Sequence, residues 1–183
     1  MRYASIRDRD ISNGTGIGVA LFVQGCPYHC PGCFNQETWD FNGGKEWNEN
    51  VENCFLDLAS NEHISRISIL GGEPFAFQNV TTVGNLITKI RQRFGDSRKI
   101  WVYTGNTIEN LIKSDYLNMH ELSMKILLSK IDVLVDGRFV SELQDLKLDY
   151  RGSSNQRIID TVETMKEYGQ THELHVKTIN SFQ

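Results

Sequence analysis

Four short runs of β-branched and apolar residues, at 19–23, 67–70, 100–103 and 133–135, constrain this chain more than any other feature. Each has the length of a buried strand, and each is separated from the next by enough residues for a crossover helix. Apolar residues at helical spacing fill the gaps. Trp47, Val51, Phe55 and Leu58 mark one helix; Val80, Val83, Leu86, Ile87, Ile90 and Phe94 mark a second; Leu122, Ile126 and Leu127 mark a third. After Arg157 a last helix is predicted to carry Ile158, Ile159, Val162 and Met165 on one face. This alternation implies an α/β domain with a mainly parallel sheet and right-handed crossovers. At 183 residues the chain is expected to form a single domain, 1–183.

The first run is followed by QGCPYHCPGCFN, the second by GGEP, the third by TGN and the fourth by DGRF. Ligands of parallel α/β sheets gather at the carboxyl ends of the strands, so these four turns are expected to meet at one rim. The chain's three prolines, Pro27, Pro31 and Pro74, all fall in these turns. Proline fixes φ and removes a donor, which points to turns of defined shape.

Charge narrows the function classes. Lys plus Arg number 19 against 23 Asp plus Glu, a net charge of -4, so the basic imprint of a phosphate-binding groove is missing and direct nucleic-acid binding is not expected. No apolar run approaches the roughly 18 residues needed to span a bilayer. The N-terminal MRYASIRDRD has no signal-peptide apolar region, so the expected location is cytoplasmic, with no membrane partner.

Three of the four cysteines, Cys26, Cys30 and Cys33, are spaced C-x3-C-x2-C. In a reducing compartment such a cluster reads as metal or redox chemistry rather than a disulfide framework. Structural zinc takes four protein ligands. His29 is the candidate fourth, but it adjoins Cys30, and successive side chains in a tight loop seldom reach one ion. A zinc-stabilised, non-catalytic interaction module is therefore the lesser alternative. An iron–sulfur cluster on three thiolates instead leaves one iron open to a small chelator. Cys54 lies between Val51, Phe55 and Leu58 and is expected in the core.

The C-x3-C-x2-C loop after the first strand resembles the signature of radical S-adenosylmethionine enzymes, and GGEP at 71–74 resembles that superfamily's glycine-rich turn. The resemblance implies a [4Fe-4S] cluster on Cys26, Cys30 and Cys33, with S-adenosyl-L-methionine chelating the fourth iron. It also implies an incomplete, TIM-like barrel of mainly parallel strands with outer helices. Gly71, Gly72, Glu73 and Pro74 would then receive the methionine part, the glycines through close main-chain approach and Glu73 through its carboxylate. Gly32 and Phe34 would lie against the adenosyl portion, Phe34 being equally readable as a core aromatic. Thr104 and Gly105 are candidates for ribose or carboxylate contacts, against a capping box of Asn106 and Glu109. Asp136 and Arg138, alternate residues at a strand end, are candidates for the same groups or for a plain ion pair.

Longer segments, from NGTGIGVALF through YTG and DVLVDGRF to RGSSNQR, resemble activating enzymes of anaerobic (class III) ribonucleotide reductase over residues 1 to about 160. That resemblance implies transfer of a hydrogen-atom vacancy to a glycine of the reductase large subunit, with the electron supplied by a flavodoxin-like or ferredoxin-like donor. RGSSNQR, residues 151–157, would shape the opening for the partner's glycine. On the plainer reading, Ser153 or Ser154 caps the last helix and Arg151 and Arg157 are solvated. The sequence departs from the family at Asn106, where an aromatic is common, and in a C-terminal extension from about residue 165. The extension bears on docking or on assembly as a homodimer or heteromer. The nearest alternatives are an activase of a pyruvate formate-lyase-like protein and a radical enzyme acting on a small molecule.

Overall fold

The computed structural model describes residues 1–113 and 124–182. In chain order the elements are β1 (Arg2–Asp10), β2 (Gly18–Val23), β3 (Lys45–Glu46), α1 (Glu49–Ala59), β4 (Arg66–Gly71), α2 (Val80–Phe94), β5 (Lys99–Tyr103), α3 (Ile108–Lys113), α4 (Met124–Leu128), β6 (Val133–Asp136), β7 (Arg157–Asp160) and α5 (Thr161–Thr171). The strands form a mixed sheet in the order β3-β1-β2-β4-β5-β6-β7.

The four expected strands are β2, β4, β5 and β6, adjacent and parallel, with Val19 opposite Ile67, Ile67 opposite Ile100, and Val102 opposite Leu134. They are buried on both faces, which is why each reads as an unbroken apolar run. The strands β1, β3 and β7 pair antiparallel at the flanks. Ile158 and Ile159, expected on a helix, belong to β7 instead; β-branched side chains fit a pleated surface better than a helix. The helix starts at Thr161, capped by the Asp160 carboxylate accepting from the Glu163 N–H, so neither Ser153 nor Ser154 is its cap. On it Met165 is buried and Val162 is exposed.

One face of the sheet carries the main core. Val19, Leu21, Ile67, Ile69, Ile100 and Val102 pack against Phe55 of α1 and Val83, Leu86, Ile87 and Ile90 of α2. The apolar stripe of α2 is as its spacing predicts. Helix α1 is rotated from the expected face: Glu52, Phe55, Leu56 and Ala59 are buried, while Leu58 and Cys54 are exposed. Glu52 accepts from Trp47 Nε1 at 3.2 Å and pairs with Lys89, which holds that side of the helix inward. Cys54 is thus a surface thiol and not a core residue. In α4, Leu127 is buried and Ile126 exposed; Leu122 lies outside the described residues.

The opposite face carries two smaller clusters, Ala20–Phe22–Leu70 and Trp101–Val133–Val135–Ile158, with Tyr103 packed against both. Beside them the buried Arg66 guanidinium pairs with Asp10 at 3.1 Å and donates to the carbonyls of Asp10, Asn13 and Thr15. The segment after α5 runs along β7, with Asp160 N donating to Lys177 O (2.9 Å) and Ile179 N to Ile158 O (2.7 Å). Phe182 then meets the rings of Trp101 and Tyr150 at 5.6 and 5.0 Å. Among the described residues no helix is long and apolar enough to cross a membrane.

Candidate active site: a cysteine-lined cavity at the strand ends

The turns after β2, β4, β5 and β6 open into one cavity of about 480 Å³. Cys26, Cys30, Cys33 and Phe34 line it from the first turn, Gly71, Gly72 and Glu73 from the second, Thr104 and Gly105 from the third, and Arg138 from the fourth. The convergence expected from the strand pattern is therefore present. Gly32, Pro74 and Asp136 are not among the lining residues.

The cysteine loop leaves β2 through Gly25, whose N–H donates to Thr38 O (2.8 Å), and Cys26, whose N–H donates to Trp39 O (3.0 Å). A turn follows, with Cys33 N donating to Cys30 O at 3.1 Å, and Asn35 N donates to the Cys33 sulfur at 3.4 Å. Gly32 has φ +74, a conformation that L side chains rarely adopt, and this backbone shape is its contribution. His29 stacks on Trp39, centroids 4.7 Å apart, and does not line the cavity, so the zinc reading loses its fourth ligand. The three thiols are free, and among the described residues no three His, Cys, Asp or Glu side chains gather as tightly as a single ion requires. Three cysteines on one cavity fit instead a group that takes each thiolate on a different iron. Burial pushes the Cys26 and Cys30 thiols up, so loading such a group releases protons.

The glycines of GGEP line the cavity and also let two turns of the chain meet. Gly72 N donates to Val23 O (2.9 Å) and Glu73 N to Gly25 O (2.8 Å), which lays this turn on the base of the cysteine loop. A Cβ on Gly72 would stand 2.4 Å from the Gly25 carbonyl oxygen. The close approach is thus between two turns of the chain. Asn79 locks them, its buried amide donating to Gln24 O and Glu73 O, both at 3.0 Å. Glu73 is 1% exposed. One of its carboxylate oxygens accepts from Phe75 N (2.9 Å) and Thr104 Oγ1 (2.8 Å), the other from Gly105 N (2.8 Å). Burial raises its pKa and these donors oppose the rise. Glu73 therefore ties the second turn to the third.

No capping box forms. Asn106 Oδ1 accepts the Tyr28 hydroxyl at 2.6 Å, which brings the cysteine loop onto the third turn, and a Cβ on Gly105 would stand 2.5 Å from the Tyr28 ring. Glu109 pairs instead with Arg157, and the α3 N–H of Ile108 donates to Asp136 Oδ2 at 2.9 Å. Asp136, 1% exposed, spends its remaining capacity on Arg157 at 2.9 and 2.5 Å. The ribose contact expected of Asp136 is replaced by this structural pair. Gly137 has φ +98, which breaks the strand alternation, so Asp136 and Arg138 do not share a side. Arg157 also grips Glu109 with two nitrogens (2.9 and 2.7 Å) and holds its carboxyl down at about 2, so Arg157 is no idle solvated residue. The Arg138 guanidinium lies over the Tyr28 ring at 4.2 Å.

RGSSNQR folds over the fourth turn as a clasp. Asn155 and Gln156 donate to the carbonyls of Arg138 and Gly137 (2.8 and 3.0 Å), while Gln156 Oε1 accepts from Gly152 N (2.9 Å) and Ser153 N (3.1 Å). Phe34 and Phe139, 5.3 Å apart, cover Gly152, where a Cβ would come within 2.9 Å of the Phe34 ring. Phe34 is 58% exposed and so is not a core aromatic. Tyr28, Tyr103, Tyr150 and Arg7 also line the cavity and were not singled out from sequence. Only Tyr103 carried a signal, as the partner of Trp101 in the strand's alternation.

Comparison with known proteins shows the family of the chain. Residues 12–159 match a protein-family model described as a 4Fe-4S single cluster domain. An anaerobic ribonucleoside-triphosphate reductase-activating protein of Escherichia coli (strain K12) is 39% identical over 158 residues, which covers 85% of this chain and 96% of the relative. The proteins of the same name from Vibrio cholerae and from Enterobacteria phage T4 are 35% and 32% identical, covering 86% of this chain in each case and 97% and 93% of the relative. With its cysteine loop, glycine turn and clasp opening on one cavity, the chain belongs to the family of anaerobic ribonucleoside-triphosphate reductase-activating proteins.

Proposed function

We propose that this chain activates anaerobic ribonucleotide reductase by generating a glycyl radical on its large subunit. The observation that carries the reading is the opening of three free thiols, the GGEP turn and the Thr104–Gly105 turn into one cavity of a chain from this family. Cys26, Cys30 and Cys33 hold a [4Fe-4S] cluster, and the Gly71–Gly72 turn, Thr104, Gly105, Phe34 and Arg138 border the place for S-adenosyl-L-methionine. The cluster and cofactor, when bound, would supply the one-electron chemistry that removes a hydrogen atom from a backbone glycine. The chain supplies position and shielding. Tyr28, pinned by Asn106 and Arg138, keeps the cysteine loop on the rim, and Glu73 sets the spacing of the second and third turns. Phe34 and Phe139 form an apolar wall that excludes water from the reacting groups.

Four parallel strands flanked by antiparallel ones support an incomplete TIM-like barrel, in a single domain 1–183 whose C-terminal segment pairs with its own β7. Beyond the cavity cysteines the chain has only Cys54, too few for a second cluster, so the electron comes from a flavodoxin-like or ferredoxin-like partner in the cytoplasm. The test mixes the anaerobically reconstituted, reduced chain with S-adenosyl-L-methionine and the large subunit. A glycyl radical by electron paramagnetic resonance, absent with Cys33→Ala, is expected. Formation of 5'-deoxyadenosine with no glycyl radical would turn the assignment to a different radical enzyme, and zinc without iron would turn it to an interaction module.

A further inference from the structure

A glycine that gives up a hydrogen atom has no side chain to recognise. The groups a protein can grip beside its Cα are the flanking peptide N–H and C=O groups, and holding the carbonyls takes donors that are buried, face the cavity and are not already used. Among the described residues three buried side-chain polar atoms lack a hydrogen-bond partner: Trp39 Nε1, Tyr103 Oη and Arg151 Nε. Tyr103 and Arg151 both line the cavity; Trp39 does not.

Both residues are set firmly. Tyr103 ends β5 and packs against the two clusters of the inner face, in one layer with Phe22 and Leu70. Phe22 is paired with Leu70, and Leu70 and Tyr103 directly precede their turns, which puts the layer just inside the rim that borders the cofactor. Burial pushes the Tyr103 phenol pKa up, which keeps the hydroxyl protonated as a donor. The Arg151 guanidinium carries N–H donors and no acceptor. Its root is fixed on one side by the Gln156 carbonyl holding Gly152 N and Ser153 N, and on the other by Tyr150, whose ring meets Trp101 at 5.4 Å. The two donors come from separate parts of the chain, the end of β5 and the 151–157 clasp, that border one cavity.

We infer that Tyr103 Oη and Arg151 Nε form a peptide-backbone subsite that holds main-chain carbonyls of the partner's glycine-bearing segment. The subsite rests on the activase reading and adds the groups that recognise a residue without a side chain. The test uses the reconstituted full chain as wild type, Tyr103→Phe and Arg151→Lys; the first keeps the ring, the second keeps the charge but loses the Nε donor. Two quantities are measured: the concentration of large subunit that gives half-maximal glycyl radical, and the dissociation constant of S-adenosyl-L-methionine from the reduced enzyme. The first is expected to rise about 5-fold for Tyr103→Phe and about 15-fold for Arg151→Lys, as for loss of a neutral and a charged hydrogen bond. The second changes less than about 2-fold, because a cofactor role is not assigned to either donor. A rise in the dissociation constant that matches the rise in the first quantity would assign the donors to the cofactor and overturn the subsite; so would no change in either quantity. A wild type that cleaves the cofactor yet raises no glycyl radical removes the activase reading, and the subsite with it.

Discussion

Asn79 does more for the site than its place at the start of α2 suggests. Its amide satisfies two buried carbonyls, Gln24 O and Glu73 O, one from each of the turns that border the cysteines. Asn79→Ala takes this donor from Gln24 O and leaves Glu73 O only the Ala76 N–H, and is expected to cost about 1–3 kcal/mol in denaturant unfolding; an unchanged midpoint would show that the turns hold without it. Glu109 gives a prediction in pH. Its folded pKa of about 2 lies below the ordinary glutamate value of 4.5, so its pair with Arg157 stabilises the fold above about pH 4.5 and is lost as pH falls towards 2. The Glu109 side chain is 38% exposed, so screening keeps the effect below about 1 kcal/mol. Unfolding measured across that range is expected to show a shallower acid loss for Glu109→Gln than for wild type. Neither role was legible in the sequence. The turn residues were, because three cysteines, paired glycines and confined prolines mark turns locally, whereas Asn79, Asp136 and Glu109 act through partners up to 55 residues away.

Among elements, legibility followed burial. The four parallel strands have both faces covered and announce themselves as apolar runs. Strand β1, RYASIRDRD, is largely half-exposed, and its charged residues mask it. Strand β7 is a four-residue piece fused to a helix, and only its pairing with β6 identifies it. The rotation of α1 was invisible for a similar reason: a buried Glu52 looks like a surface residue until Trp47 and Lys89 are seen against it. On the inner face Asp10 anchors β1 to β4 through the buried Arg66. Removing one partner of a buried pair leaves an uncompensated charge, so Asp10→Ala is expected to cost about 3–5 kcal/mol by urea unfolding. A loss under about 1 kcal/mol would mean that the Asp10, Asn13 and Thr15 carbonyls suffice for the guanidinium.

At the scale of the whole molecule, the sequence located the rim but not what closes the sheet's far side. There the C-terminal segment hydrogen-bonds along β7 and seats Phe182 against Trp101 and Tyr150, the latter a cavity residue. Deleting residues 172–183 uncovers that edge and is expected to lower Tm by about 5 °C, read by differential scanning fluorimetry; an unchanged Tm would show that the segment adds nothing to the fold. The central claim is that three thiolates leave one iron for the cofactor. Pulsed electron paramagnetic resonance of the reduced protein with S-adenosyl-L-methionine isotope-labelled at its amino nitrogen tests this most directly. The account predicts a hyperfine coupling from the labelled nitrogen to the cluster, lost when any of Cys26, Cys30 or Cys33 is replaced by Ala. Identical spectra with labelled and unlabelled cofactor in the wild-type protein would contradict it.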